Sequence, residues 1–120
     1  MMFTVATNLI VAVAMVESSG DMSAINRRHG AYGPLQIRQM CLNDINSYAG
    51  TAYTLRQFVN NMPLSKWAFE VYATMYNAKT EIEAVRLWHG GPRGKDRKEY
   101  DDYVLRVTTL YNELNKKEPR

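Results

Sequence analysis

The spacing of apolar residues predicts a mainly helical chain in which strand signals are sparse. An apolar run from Val5 to Val16 predicts the first helix, with Leu9 and Val13 on one of its faces. Residues 116–120 are mostly charged and predict a frayed tail. The last helix has the most regular pattern, with i, i+3, i+4, i+7 spacing of Tyr100, Tyr103, Val104, Val107, Leu110, Tyr111 and Leu114.

Shorter helices are predicted between these two. Residues 40–48 form a second predicted helix, and Gly50 is suited to end it because glycine readily adopts the left-handed conformation of a helix terminus. Residues 54–62 predict a third helix. Ser65 is the expected cap of a fourth, because its hydroxyl can accept a hydrogen bond from a free backbone amide. The apolar face of that helix consists of Ala68, Val71, Tyr72 and Met75.

Thr80 and Glu83 have the spacing of a capping box, in which each side chain accepts a hydrogen bond from the other residue's backbone amide. This motif predicts a helix over residues 81–88 that stops at Gly90-Gly91-Pro92. Residues 20–33 are irregular and predict a loop or small hairpin. The pattern as a whole predicts about six helices.

Composition limits the chain to one domain with an ordinary core. It has 120 residues, of which 46% are hydrophobic and 22% charged. No repeat, low-complexity tract or linker divides it, so we expect a single domain over residues 1–120. The net charge of +3 suits an anionic polymer, and by itself it does not distinguish bacterial cell wall from nucleic acid.

The cysteine and histidine content argues against metal or disulfide chemistry. Cys41 is the single cysteine and lies in a predicted helix, where packing in the core is the simplest interpretation. His29 and His89 are far apart and belong to no zinc-binding motif. We therefore expect no metal and no cofactor.

Glu17 is the strongest candidate for chemistry. It stands where the apolar first helix meets a polar turn, residues 18–21, which includes Gly20. Burial on the helix side disfavours the charged carboxylate, so the carboxyl can remain protonated near neutral pH. A protonated carboxyl that opens onto a polar loop is the general acid that glycosidic bond cleavage requires.

Three segments resemble the lytic transglycosylase and goose-type lysozyme superfamily. They are the Glu17-Ser18 pair, the loop Gly33-Pro34-Leu35-Gln36 and the segment Leu87-Trp88-His89-Gly90-Gly91-Pro92. The late helix, with Tyr103 and Tyr111, is similar as well. The resemblance implies a mainly helical, lysozyme-like α+β fold and an enzyme that acts on peptidoglycan glycan strands.

By this resemblance, Glu17 is the catalytic residue, and Ser18, Gln36, His89 and Tyr103 are expected to bind substrate. Tyr32 is a further expected substrate-binding residue, because its ring could stack on a sugar, and the alternative is that it fills the core. Ser18 could also orient Glu17 through its hydroxyl. Two positions depart from the family pattern. Pro34 separates Gly33 from Leu35, where many relatives have leucine directly after glycine, and His89 replaces a frequent asparagine.

The resemblance implies that Glu17 cleaves the bond between N-acetylmuramic acid and N-acetylglucosamine. In a lytic transglycosylase the same residue acts first as acid and then as base, and the product has a 1,6-anhydro end. A goose-type hydrolase would instead use a second carboxylate, at about 5 to 9.5 Å from the first. We favour the transglycosylase. The candidates for a second carboxylate are Asp21, Asp44, Asp101 and Asp102.

Two rival functions belong to other classes. The first is a non-catalytic module that binds glycan chains through the same cleft. The second is a helical nucleic-acid-binding domain, but the basic residues lie in loops and no known reader motif is present, so we expect no nucleic-acid partner. A monomer is expected, since no sustained heptad repeat is present.

The apolar segment from Val5 to Val16 also raises the question of a signal peptide or membrane span. It lacks a preceding Lys or Arg, contains Thr7 and Asn8, and is shorter than the roughly 18 residues of a span. We expect a domain helix here and no membrane span. The expected site of action is the cell wall or periplasm, reached from the cytoplasm by phage-type release or with a virion.

Overall fold

The computed structural model describes residues 2–95 and 97–117. Over these residues the fold is mainly helical with one small hairpin, as the sequence predicts. The α-helices are α1 Thr7–Ser18, α2 Gln39–Ala49, α3 Met62–Met75, α4 Glu81–Gly90 and α5 Asp101–Lys117. The antiparallel strands are β1 Ile25–Asn26 and β2 Ala31–Tyr32, and Leu55–Phe58 and Lys98–Tyr100 form 3₁₀ helices.

Helix α1 lies in the core and packs along α5. Its apolar residues are distributed around much of its circumference, which is typical of a buried helix. Leu9, Ile10, Ala12, Val13 and Ala14 are all buried. The C-terminal turn is less buried and is held to the rest of the domain by the Ser18 hydroxyl, which donates to the Pro34 carbonyl.

A buried glutamate anchors the segment that leads into α1. One carboxylate oxygen of Glu70, in α3, accepts a hydrogen bond from the backbone amide of Val5 at 2.9 Å. The same oxygen lies 3.1 Å from the ammonium nitrogen of Lys66. A carboxylate rarely becomes buried without such partners. The interaction fixes where α1 begins relative to α3.

The structure corrects the prediction for residues 54–62. Only Leu55–Phe58 is helical there, as a 3₁₀ turn whose capping box is formed by Thr54 and Gln57. Helix α3 begins at Met62, and Asn61 caps it by accepting a hydrogen bond from the Leu64 amide. This earlier start is possible because Pro63 lies in the first turn, where a backbone donor has no partner within the helix.

Ser65 is therefore not the cap that the sequence predicts. It lies inside α3, is buried, and donates its hydroxyl to the Asn61 carbonyl at 2.8 Å. Asn61 precedes it by one helical turn and is the better placed of the two for the capping role.

The predicted start of α4 and end of α2 are confirmed. The Thr80 hydroxyl accepts from the Glu83 amide, and α4 begins at Glu81. The Glu83 carboxylate, however, accepts from the Lys79 amide at 2.8 Å, one residue before the position that a reciprocal capping box uses. Gly50 ends α2 with a φ of 69°.

Helix α5 extends further than predicted, because Lys116 and Lys117 belong to its last turn. Positive side chains at a helix C-terminus interact favourably with its partial negative charge. The rest of the predicted frayed tail, residues 118–120, lies outside the described residues. Among the helices that the structure describes, none is long and apolar enough to cross a membrane.

Candidate active site

Glu17 lies in the last turn of α1, and its carboxyl lines a cleft. The helix ends just beyond it because Ser19 adopts a left-handed conformation, with φ of 56°. The amides of Ser19 and Gly20 both donate to the Ala14 carbonyl and close the helix end. Glu17 is thus placed at the junction of a buried helix and an open loop, as predicted.

A tyrosine from the other end of the chain contacts this carboxyl. The Tyr103 hydroxyl donates a hydrogen bond to Oε2 of Glu17, with an oxygen to oxygen distance of 2.5 Å. Tyr103 belongs to the first turn of α5 and is itself buried. The packing of α1 on α5 therefore determines the orientation of the Glu17 carboxyl.

Burial is the main influence on the protonation of Glu17. It raises the pKa of the carboxyl above its usual value of 4.5. The Tyr103 hydrogen bond lowers the pKa, and the nearby charges of Arg38 and Arg106 lower it further, but these effects are smaller. The end of α1 also carries a partial negative charge, which favours the neutral acid. The carboxyl is suited to hold a proton and to release it during a reaction.

Ser18 has a different role from the one suggested by its place beside Glu17. Its hydroxyl is hydrogen bonded to the carbonyl oxygens of Ala14, at 3.0 Å, and Pro34, at 2.8 Å. The side chain therefore connects the end of α1 to the loop over residues 33–36. The structure shows no Ser18 hydroxyl bond to Glu17, so the orienting hydroxyl is that of Tyr103.

The loop over residues 33–36 depends on Gly33. This residue has a φ of +81°, and a Cβ there would lie 2.5 Å from the carbonyl oxygen of Phe58. Both the conformation and the close approach require glycine. Gln36 also has a positive φ, of 56°, and its amide nitrogen donates to the Gly33 carbonyl at 3.0 Å. The Gln36 side chain is thereby held at the cleft.

His89 and Trp88 come from the end of α4. The His89 ring stacks on Tyr103, with centroids 4.0 Å apart and planes 18° from parallel. The Trp88 indole nitrogen donates to the Leu35 carbonyl at 2.9 Å, which ties α4 to the loop that carries Gln36. Trp88 thus connects α4 to the loop over residues 33–36, and His89 connects it to α5.

These elements enclose a cleft of about 570 Å³. Its walls come from the end of α1, the hairpin region, the start of α2 and the end of α4. The lining residues include Glu17, Asn26, Gln36, Arg38, Met40, Cys41, Asp44, Trp88, His89 and Pro92. The cleft thus combines a protonatable carboxyl, an amide and a cationic side chain with apolar surface, which is typical of a ligand site.

A comparison with protein families matches residues 1–106 to the Transglycosylase SLT domain. The chain belongs to this family. The match covers every residue of the site described above, from Glu17 to Arg106. The general function of the domain is therefore of the peptidoglycan lytic transglycosylase type. A search of curated proteins found no significant match.

Tyr32 has a structural role in this SLT domain. Its backbone pairs with Ile25 across the hairpin. Its amide donates to the Ile37 carbonyl and its carbonyl accepts from the Ile37 amide, each at 3.0 Å. Among the described residues, the lining of the cleft does not include Tyr32. Its contribution is to align β2 with the segment that leads into α2.

Trp88 fills the core as well as lining the cleft. Its ring packs against Phe69 at 5.5 Å and Tyr72 at 6.0 Å between centroids. Cys41 is also half-buried against the core, and burial raises its pKa to about 12, which keeps the thiol neutral. The burial of Cys41 agrees with the packing role predicted for it from the sequence.

Of the candidate second carboxylates, Asp44 is the one that lines the cleft within the described part of the chain. It accepts a hydrogen bond from the Tyr76 hydroxyl at 3.1 Å. Asp21 is exposed and accepts hydrogen bonds from Ser23, and Asp101 pairs with Arg86 at 2.7 Å. These local interactions account for Asp21 and Asp101. Asp102 is exposed in the first turn of α5, where the helix dipole favours a negative charge.

Sequence reasoning overlooked two arginines as members of the site. The sequence pattern indicates neither Arg38 nor Arg106 as a site residue, yet both charges act on Glu17. Arg106 follows Tyr103 by three residues, a spacing that places the two on neighbouring positions of a helix. Because Tyr103 is a predicted site residue, this spacing is the signal that would have indicated Arg106 as a second one. In the described residues no cluster of His, Cys, Asp or Glu could hold a metal ion.

Proposed function

We propose that this domain is a lytic transglycosylase in which Glu17 serves as both general acid and general base. The bond it cleaves joins N-acetylmuramic acid to N-acetylglucosamine in β-1,4 linkage. The observation that supports the proposal best is a half-buried carboxyl that lines the cleft, with its pKa raised by burial, and that accepts a hydrogen bond from Tyr103.

In the first step, protonated Glu17 donates its proton to the glycosidic oxygen. The bond from the anomeric carbon to that oxygen breaks, and positive charge develops on the muramic acid ring. The new Glu17 carboxylate is stabilised by the Tyr103 hydroxyl and by the positive charges of Arg38 and Arg106. These are the interactions that strengthen as the proton leaves.

In the second step, the carboxylate accepts the proton of the muramic acid C6 hydroxyl. The C6 oxygen bonds to the anomeric carbon and closes the 1,6-anhydro ring, and Glu17 is protonated again. No water enters this reaction, and no second carboxylate is needed. Gln36 lines the cleft, where its side chain can contact the sugars, and Ser18 supports the loop that carries Gln36.

The test is mass spectrometry of soluble muropeptides that wild-type protein and Glu17→Gln release from purified peptidoglycan. The substituted amide keeps an acceptor for the Tyr103 hydroxyl but cannot supply the acidic proton. We expect anhydromuropeptides from wild type and a loss of at least about 100-fold in Glu17→Gln, since general acid catalysis typically contributes that much or more. Asp21→Asn, which neutralises a nearby exposed carboxyl, is the matched control and should retain activity.

A goose-type hydrolase is the second candidate, and Asp44 is the observation that favours it. Reducing-end products that disappear in Asp44→Asn would replace the transglycosylase proposal with this one. Release of nothing by wild type, under conditions where a control enzyme works, would leave a glycan-binding module as the function. Binding of glycan strands that survives Glu17→Gln would identify that module.

We also propose that the domain acts on the cell wall as a monomer, with no nucleic-acid partner, after phage-type release or virion delivery. The match to the Transglycosylase SLT domain supports action on the cell wall, and the apolar segment over residues 5–16 belongs to the domain because its buried residues form part of α1. The test is expression in bacteria with and without a separate membrane-permeabilising protein. Lysis that requires permeabilisation is expected, and lysis without it would contradict this route.

A further inference from the structure

A row of three rings leads from the 3₁₀ helix before α5 to Glu17. The Tyr100 ring packs edge-on against His89, with centroids 4.9 Å apart, and His89 stacks on Tyr103. Tyr103 in turn donates its hydroxyl to Glu17. The row therefore ends at the proposed catalytic carboxyl.

Gly90 makes room for the outer ring of this row. A Cβ at this position would lie 2.2 Å from a ring carbon of Tyr100. Any larger residue would displace Tyr100 and remove the edge contact on His89. The sequence Trp88-His89-Gly90 thus places one ring toward the core, one ring on Tyr103 and no side chain where Tyr100 packs.

The surroundings of His89 favour its neutral form. Partial burial lowers its pKa, and the positive charges of Arg106 on α5 and Arg38 at the start of α2 lower it further. The other titratable groups beside it are Tyr100, Tyr103 and, through Tyr103, Glu17. A neutral imidazole can stack on Tyr103 without adding a third positive charge near Glu17.

We propose that His89 is a positioning residue that acts through Tyr103: its ring fixes the plane of the Tyr103 phenol, so that the hydroxyl remains on Oε2 of Glu17. This role differs from a direct hydrogen bond to sugar. The kinetic consequence rests on the proposed function, but the effect on Glu17 itself does not. A displacement of about 1 Å in a catalytic group can cost about 100-fold in rate.

Two substitutions separate the two roles. His89→Phe keeps a ring that can stack and removes both ring nitrogens, whereas His89→Asn keeps hydrogen-bonding groups and removes the ring. If His89 positions Tyr103, His89→Phe retains kcat within about threefold and His89→Asn loses about 10-fold or more in kcat with little change in KM. A raised KM in His89→Phe together with normal kinetics in His89→Asn would overturn the proposal.

A second measurement decides the question even if the protein releases no muropeptides. Carbon-13 NMR titration of the Glu17 carboxyl is carried out for His89→Asn, Tyr103→Phe and the double variant. The proposal predicts that His89→Asn and Tyr103→Phe both raise the Glu17 pKa, because each weakens a bond that favours the carboxylate. His89→Asn should have no further effect in the Tyr103→Phe background. An equal effect of His89→Asn in both backgrounds would show that it does not act through Tyr103.

Discussion

Tyr103 donates its hydroxyl to Glu17 across 2.5 Å, although the two residues are 86 positions apart in the chain. The bond joins the end of the first α-helix to the beginning of the last. It is a charge-assisted hydrogen bond whenever Glu17 is ionised, and such bonds are stronger than those between neutral groups. The contact between α1 and α5 is thus part of the candidate active site as well as of the core.

Tyr103→Phe should reduce activity and shift its pH dependence. The loss of a hydrogen bond to the Glu17 carboxylate is expected to lower kcat/KM by about 10-fold to 100-fold. Because that bond lowers the Glu17 pKa, its removal raises the pKa, and the fall of activity at high pH moves to higher pH. Muropeptide release measured over a pH series checks both effects.

Tyr111→Phe is the control for this experiment. Its hydroxyl is on the same helix but contacts Glu81, at 3.4 Å, and not Glu17. An unchanged pH profile is expected for Tyr111→Phe. A Tyr103→Phe profile that coincides with that of wild type would show that the bond to Glu17 has no part in the chemistry.

Glu17→Gln should stabilise the fold, and the gain should depend on pH. The folded-state pKa of Glu17 is raised above its usual value of 4.5, so the native state holds the proton more tightly than the unfolded chain does. As pH rises from about 4.5 through the folded-state pKa of Glu17, the free energy of unfolding of wild type therefore decreases relative to that of Glu17→Gln. Below that window the two proteins should melt at similar temperatures.

Thermal unfolding of the two proteins over a pH series that starts at about pH 4, below the usual Glu17 pKa, measures this difference. Asp21→Asn serves as a control because Asp21 is exposed. A melting temperature of Glu17→Gln that falls below that of wild type as pH rises would contradict the direction assigned to the Glu17 pKa.

Gly33→Ala should destabilise the protein more than Gly20→Ala does. Both residues have a positive φ, of +81° and +78°, so both substitutions introduce a similar backbone strain. Only at Gly33 would the new Cβ meet another group, the Phe58 carbonyl oxygen at 2.5 Å, since nothing lies within 4 Å of a Cβ at Gly20. The added overlap should cost about 1 to 3 kcal/mol in the free energy of unfolding.

Urea denaturation of the two variants checks this difference, and Gly33→Ala should also lower activity because Gln36 is held by the same loop. Equal stabilities would mean that the Phe58 backbone shifts to accommodate the methyl group at little cost.

Arg106→Ala should raise the Glu17 pKa, because the charge of Arg106 lowers it. The decrease in activity at high pH should then occur at a higher pH. Arg106 is exposed, so solvent screens its charge and the shift should be smaller than that of Tyr103→Phe. The shift should shrink at high ionic strength. Activity profiles at two salt concentrations provide the measurement, with Lys116→Ala as the control because Lys116 lies in the last turn of α5. A salt-independent shift would indicate a structural effect and not a Coulombic one.

Local patterns predicted the helices well because the relevant physics is local. The apolar period of α5, the Thr80 cap of α4 and the left-handed Gly50 all depend on residues a few positions apart. Prediction was wrong at Ser65, where two residues, Asn61 and Ser65, could each have capped a helix. Tertiary packing makes Asn61 the cap, because the helix that follows it buries Ser65.

The position of Glu17 was also predictable, because a charged residue after an apolar helix depends on only a short segment. Its surroundings were not. Tyr103, Arg38 and His89 come from three other parts of the chain, and their approach to Glu17 follows from tertiary packing, in which α5 lies along α1 and α4 packs on α5. The Ser18 hydroxyl shows the same dependence, since its partner is the Pro34 carbonyl and not its neighbour in sequence.

The sequence by itself determined the family, the order of the helices and the carboxyl at the end of the first one, because each is written in residues that are neighbours along the chain. Only the tertiary structure decided which hydroxyl orients Glu17, which charges act on it and which ring stacks on Tyr103. The physical reason is that hydrogen bonds, desolvation and Coulombic interactions depend on distance in space, and here the partner residues are separated by most of the length of the chain.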